Sequence, residues 1–71
     1  MPDIIVIKGK FHTKIIPESA KGHAWLIINM ERAIFSNVIT VQTEFIDELL
    51  DLFNKEGLKV DEKYSLESKV F

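Results

Sequence analysis

The chain has 71 residues and no cysteine, with 46% hydrophobic residues, 28% charged residues and a formal net charge of −2. This length allows one small domain, and a hydrophobic content this high argues against disorder. The missing cysteine excludes disulfides, zinc–thiolate clusters and thiol nucleophiles. We therefore expect residues 1–71 to form a single small cytoplasmic domain that carries no cofactor.

No segment of the sequence predicts a membrane span or a secretion signal. The longest uncharged apolar run, Ala24 to Met30, is far shorter than the roughly 18 residues that a membrane-spanning helix needs. The apolar run Ile4 to Ile7 is too short for a signal peptide and has no basic residues before it. We expect no contact with a membrane.

The first elements predicted along the chain are strands. Ile4 to Ile7 is β-branched and does not alternate with polar residues, which is typical of a strand covered on both faces. From Phe11 to Ile16 apolar and polar residues alternate, as in a second strand. Gly9 is then a hairpin tip or a bulge in one long bent strand. The triplet Lys8-Gly9-Lys10 lacks the Asn-Gly or Asp-Gly signal of a tight hairpin, which favours the bulge.

The segment after Pro17 fits two structures. Ser19 can cap a helix, and Pro17 suits the first turn of one, which predicts a helix over 19–32. A glycine inside a helix, as Gly22 would be, costs about 1 kcal/mol of stability relative to alanine. The alternative is a strand from His23 to Ile28, a segment with strand propensity. We favour the helix.

If the segment is a helix, its apolar residues recur at helical spacing. The expected buried stripe is Ala20, Ala24, Ile27 and Ile34. We expect Trp25 to lie in the core, one turn from Ile28 on the same face. Deleting so large a buried aromatic side chain would unfold a domain of this size.

The clearest predicted element is a helix from Glu44 to Glu56. Thr43 can cap its start, and Gly57 can end it in a left-handed conformation, with Leu58 closing back on Phe53. Its apolar stripe is Ile46, Leu49, Leu50 and Phe53.

Two further strands flank that helix. Asn37 to Val41 is short and rich in β-branched residues. After Gly57, the residues Leu58, Val60, Tyr64 and Leu66 share one face of a strand whose other face is polar, with Glu62 as the exception. Such a strand belongs at the edge of a sheet. Nothing distinguishes packing from fraying for the tail over 67–71.

The order of elements predicts an α+β fold. The elements follow one another as β, α, β, α, β, and the first strand is either continuous or split in two. This order predicts a two-layer sandwich of three to four mixed strands with two helices on one face. The other face of the sheet then stays bare, although both faces of Ile4 to Ile7 are apolar. Because a domain this small is marginally stable alone, we expect a homodimer that covers this face.

Four acidic residues lie opposite the apolar stripe of the second predicted helix. They are Glu44, Asp47, Glu48 and Asp51. Their spacing of three and four residues brings like charges together, which costs a few tenths of a kcal/mol per pair. Such a stripe either binds a basic partner or is an ordinary solvated helix face. We keep these four residues as candidates for partner binding.

A basic strand segment suggests a different partner. Lys8, Lys10, His12 and Lys14 would lie on one side of the strand if the alternation ran unbroken. Strands that combine lysine with aromatic residues can bind single-stranded nucleic acid, although Phe11 would face the opposite side. Lysines on an edge strand also prevent aggregation.

The sequence contains no catalytic or metal-binding motif. His12 and His23 have no metal-ligand spacing, and the serines lack a nucleophile-elbow context. We expect a non-enzymatic protein that acts through protein–protein contact as a homodimer. The alternative is a nucleic-acid-binding module that uses Lys8–Lys14.

Overall fold

The structure, a computed structural model, describes residues 1–30 and 36–64. The strands are β1 (Ile4–Lys8), β2 (His12–Pro17), β3 (Ile39–Gln42) and β4 (Val60–Tyr64), and the helices are α1 (Ala20–Asn29) and α2 (Ile46–Lys55), with a 3-10 helix at Thr43–Phe45 before α2. One mixed sheet has the strand order β3-β2-β1-β4. β1 is antiparallel to β2 and parallel to β4, and β2 is antiparallel to β3. The predicted α+β fold with mixed strands and two helices is confirmed.

One face of the sheet carries the core. The register places Val6 of β1 beside Ile15 of β2, and Ile15 beside Ile39 of β3. These side chains are buried in one cluster with Leu26 of α1 and Phe53 of α2. Because both helices contribute to this one cluster, they pack on the same face of the sheet.

Gly9 lies in a hairpin between β1 and β2, so the prediction of a bulge is wrong. Lys8 pairs with Thr13, and the Gly9 amide donates to the His12 carbonyl oxygen at 2.9 Å. Among the described residues, only Gly57 has a positive φ. Asn-Gly and Asp-Gly are favoured in hairpin turns because those turns need positive φ. The turn between β1 and β2 has no residue with positive φ, so the absence of Asn-Gly or Asp-Gly from the sequence was no evidence against a hairpin.

α1 is a helix, so the alternative strand over His23 to Ile28 is wrong. The Ser19 side chain caps it as predicted, accepting a hydrogen bond from the Gly22 amide at 3.0 Å. Trp25 is half-buried beside the core, with its ring edge-to-face on Phe53 at a centroid distance of 5.1 Å.

The buried face of α1 differs from the predicted stripe. Gly22 and Leu26 are buried, whereas the apolar residues Ala20, Ala24, Ile27 and Ile28 are exposed. Ile28 is 80% exposed, so it does not share a buried face with Trp25. The helix is apolar on most of its circumference, and periodicity therefore cannot identify the side that packs. Ile34 lies outside the described residues.

α2 ends as predicted but begins later than expected. Gly57 has a φ of 73°, and the Leu58 amide donates to the Phe53 carbonyl oxygen at 2.9 Å, which is a Schellman closure. The start of α2 has no side-chain cap. Thr43 is not that cap, because it lies in the preceding 3-10 helix and its hydroxyl binds elsewhere.

The two outer strands are β3 and β4. β3 begins and ends slightly later than the predicted Asn37 to Val41. β4 is an edge strand, as predicted, and pairs with the central strand β1. The predicted alternation places Val60, Glu62 and Tyr64 on one face. Ser65, Leu66 and the tail over 67–71 lie outside the described residues.

Candidate functional site

The face of the sheet that points away from the helices is called here the open face. On the central strands β1 and β2 it carries Ile5, Ile7 and Ile16, since their neighbours Ile4, Val6 and Ile15 point into the core. All three isoleucines are only partly buried. Within the described residues, neither helix lies against this face. Neither helix therefore supplies the second cover that was expected for Ile4 to Ile7.

Two rows of side chains cross the open face at β2, β1 and β4. The first row is Ile16, Ile5 and Asp61, and the second row is Lys14, Ile7 and Lys63. On β3, Thr40 pairs with Lys14, and Gln42 with His12. The open face thus has an apolar centre with charged and polar residues around it.

Asp61 and Lys63 form an ion pair along β4. The Lys63 Nζ lies 3.8 Å from Asp61 Oδ2, and the two side chains are 58% and 47% exposed, respectively. An exposed ion pair this long contributes little to stability. Both charges therefore remain able to bind a group that approaches the open face.

The structure does not bring the four predicted nucleic-acid residues to one side. Lys8 lies on the helix-covered face of β1, Lys10 lies in the turn, and His12 and Lys14 lie on the open face. The physical reason is the hairpin, because the turn separates Lys8 from the alternation of β2. The prediction that these four residues lie on one side of a strand is thus wrong, whereas nucleic-acid binding itself stays a prediction.

Lys8 forms an ion pair with Glu62 of the neighbouring strand β4. Its Nζ lies 3.0 Å from Glu62 Oε1, and its side chain is only 19% exposed. The hydrogen bond to Glu62 raises the pKa of Lys8, against the smaller opposing effect of burial. The same ammonium lies 5.9 Å from the centre of the Tyr64 ring. This pair explains why Glu62 breaks the apolar alternation of β4.

The four acidic candidates are all exposed. Glu44 lies in the 3-10 helix, and Asp47, Glu48 and Asp51 lie on α2. Asp47 and Glu48 occupy the first turn of α2, where negative charge favours the helix dipole. Part of the stripe thus has a structural explanation, and its role in partner binding stays a prediction.

A shallow groove lies at the hairpin end of the sheet. It is lined by Lys10, Phe11, His12, Gln42, Thr43 and Glu44. Charges of both signs and an aromatic ring line it side by side, so its chemistry selects no particular ligand.

The sequence interpretation missed Asp3. Its Oδ2 accepts a hydrogen bond from the Lys59 amide at 2.8 Å, and its Oδ1 accepts one from the Ser19 hydroxyl at 2.6 Å. These two bonds, in that order, lower the pKa of Asp3. The residue joins the starts of β1 and α1 to the segment before β4. No local signal marks it, because both partners are distant in sequence.

Comparison with protein-family models, with curated proteins and with solved structures gives no match. Within residues 1–30 and 36–64, no group of three or more His, Cys, Asp or Glu residues is placed to hold a metal ion. In the same ranges, neither helix has the length and apolar content needed to cross a membrane.

Proposed function

We propose that this protein acts by protein–protein contact rather than by catalysis, as a homodimer in which each copy covers the open face of the other. A cytoplasmic location, which the cysteine-free sequence favours, is part of this proposal. The observation that carries it is the partial exposure of Ile5, Ile7 and Ile16, which lie side by side on the two central strands.

The composition of the open face is unusual for a sheet face in water. A half-covered sheet normally alternates, with apolar residues inside and polar residues outside. Here β1 is apolar on both faces, and Ile16 of β2 extends the outer apolar surface. Burying an isoleucine side chain completely contributes about 1.5–3 kcal/mol. Ile5, Ile7 and Ile16 are already partly buried, so covering each of them contributes only part of this free energy, and that part favours association.

A second copy presents the same sheet face, with an apolar centre and charged residues around it. Two sheets pack face to face about 10 Å apart, with the side chains of their inner faces interdigitating. A two-fold interface brings the same patch from both copies together. The apolar centre would be surrounded by Lys14, Lys63, Asp61 and His12, in keeping with the polar rims of protein interfaces.

Sedimentation velocity at about 100 µM tests the dimer. We expect the wild type to sediment at twice its 8.2 kDa chain mass. The variant Ile5→Thr/Ile16→Thr should sediment as a monomer, because it removes apolar surface from the open face. Threonine keeps the β-branched shape that strands favour, and circular dichroism verifies that the variant is folded.

Ile28→Thr is the matched control, since it makes the same exchange on an 80% exposed side chain of α1. It should leave the dimer intact. A wild type that sediments as a monomer at this concentration overturns the proposal. A dimeric Ile5→Thr/Ile16→Thr variant places the interface on another surface.

A further inference from the structure

We infer that the two copies meet with their strands antiparallel, so that Asp61 of each copy faces the partner's Lys63. This arrangement rests on the proposed dimer and adds its orientation and its charge recognition. It follows from the positions of the charges on the open face.

The two rows of the open face differ in charge. The row of Ile5 ends in Asp61, and the row of Ile7 ends in Lys63. Along a strand, the rows are about 7 Å apart. A two-fold axis that runs across the strands, midway between the rows, exchanges one row for the other. Ile5 then lies over the partner's Ile7, and Asp61 over the partner's Lys63.

Symmetry makes each of these contacts twice, so the dimer contains two opposite-charge pairs at its β4 edges. Lys14 comes to lie over the partner's Ile16, where its aliphatic stem can cover the isoleucine while its ammonium reaches water. Packed sheets cross at about 30°. Because β4 is only one strand spacing from β1, this rotation shifts β4 relative to the β4 strand of the other copy by about 2–3 Å. The Lys63 side chain is long enough to span this shift and reach Asp61 of the other copy.

Other two-fold arrangements oppose like charges or give Asp61 no opposite charge on the other copy. An axis through the Ile5 row would set Asp61 over the partner's Asp61. An axis through the Ile7 row would set Lys63 over the partner's Lys63. An axis along the strands between β1 and β2 would place Asp61 at the β3 edge of the partner, beyond its charged residues. Like charges directly opposite each other destabilise a sheet contact.

Charge exchange at these two positions tests the orientation by sedimentation. Asp61→Lys alone places lysines opposite each other, and Lys63→Asp alone places aspartates opposite each other. We expect each variant to weaken homodimerisation by at least about tenfold. An equimolar mixture of the two variants should form a heterodimer, because both of its pairs are then opposite in charge. The double variant Asp61→Lys/Lys63→Asp should again be a homodimer.

Asp51→Lys is the matched control, since it makes the same charge change on the exposed side of α2. It should leave dimerisation unchanged. If the wild type is dimeric but the single variants dimerise equally well, or if their mixture gives no heterodimer, the antiparallel arrangement is wrong while the proposed dimer stands. A monomeric wild type overturns the proposed function itself.

Discussion

Asp3 holds three segments together by one side chain and one carbonyl group. Its carboxylate accepts hydrogen bonds from the Lys59 amide and the Ser19 hydroxyl. Its carbonyl oxygen accepts one from the Glu18 amide at 2.9 Å. The start of β1, the cap of α1 and the approach to β4 therefore depend on the same residue.

The lowered pKa of Asp3 predicts how stability changes in acid. The bonds from Lys59 and Ser19 favour the ionised carboxylate in the folded protein. The folded state thus binds this proton less readily than the unfolded state does. The stabilisation is present above the ordinary aspartate pKa and is lost as the pH falls through the lowered pKa.

We expect the midpoint of urea unfolding to fall more steeply between about pH 5 and pH 2 in the wild type than in Asp3→Asn. Asp51→Asn, which removes an exposed carboxylate of α2, serves as the control and should keep the wild-type slope. Equal slopes for the wild type and Asp3→Asn would contradict the assigned role of Asp3.

Gly22 allows α1 to approach the start of β1. A methyl group at this position would overlap the carbonyl oxygen of Asp3 and lie 3.2 Å from Ile4 Cγ1. We expect Gly22→Ala to destabilise the protein by about 1–3 kcal/mol, the usual cost of overpacking. This outcome opposes the gain of about 1 kcal/mol that alanine brings to an unconstrained helix position.

Chemical denaturation measures this effect, and Ala24→Gly calibrates it within the same helix. Ala24 is exposed, so its replacement by glycine should cost about 1 kcal/mol from helix propensity alone. A stabilised Gly22→Ala would show that α1 and β1 are not in close contact.

At the scale of elements, Thr43 fastens the β1–β2 hairpin to the 3-10 helix. Its amide donates to the Phe11 carbonyl oxygen at 2.9 Å, and its hydroxyl donates to the Gly9 carbonyl oxygen at 2.9 Å. The Thr13 and Thr43 hydroxyl oxygens are also 2.9 Å apart. Since the Thr43 proton goes to Gly9, Thr13 is the donor in that pair. This bond satisfies a residue that is fully buried.

Thr43→Val leaves the buried Thr13 hydroxyl without its acceptor. We expect it to cost about 1–3 kcal/mol of stability, which is the range for an unsatisfied buried polar group. Thr13→Val should cost less, because the Thr43 hydroxyl keeps its bond to the Gly9 carbonyl oxygen. The double variant should cost less than the sum of the two, because the shared hydrogen bond is lost only once. Urea denaturation of the four proteins completes the cycle, and strictly additive losses would contradict the direct Thr13–Thr43 bond.

The elements differ in how far the sequence predicts them. The end of α2 depends on Gly57 and on residues within two turns of it, and its prediction was correct. The buried face of α1 depends on the fit of Gly22 against Asp3, which is a contact between separate elements. Thr43 was predicted to cap α2 because a threonine just before a helix is a common cap. Its actual role depends on the β1–β2 hairpin, which pairs with β3 and which the local sequence did not predict.

At the scale of the whole molecule, the candidate surface was predictable in part. Apolar residues on both faces of Ile4 to Ile7 predicted a bare sheet face and a partner to cover it. The charged neighbours of that face were not predictable, because Asp61 and Lys63 reach it only through the parallel pairing of β4 with β1. Strand order is a property of the complete fold, and no local pattern encodes it.

The same topology separates the acidic residues of α2 from the open face of the sheet. α2 packs on the core side of the sheet, so its exposed acidic residues point away from the open face. In the proposed dimer, both acidic surfaces would lie on the outside, one at each end. A basic partner could then bind the stripe without competing with dimerisation.

The pairing of β4 with β1 also orders the events of synthesis. β1 and β2 are joined by a short turn and can pair as soon as both have left the ribosome. The bond from the Lys59 amide to Asp3 spans 56 positions of the chain, and closing so long a loop carries a larger entropic cost. Until residues 60–64 have also left the ribosome, the nascent chain holds a central strand with one unpaired edge. A ribosome that stalls on this message after the second helix would therefore present that edge to chaperones and to other nascent chains.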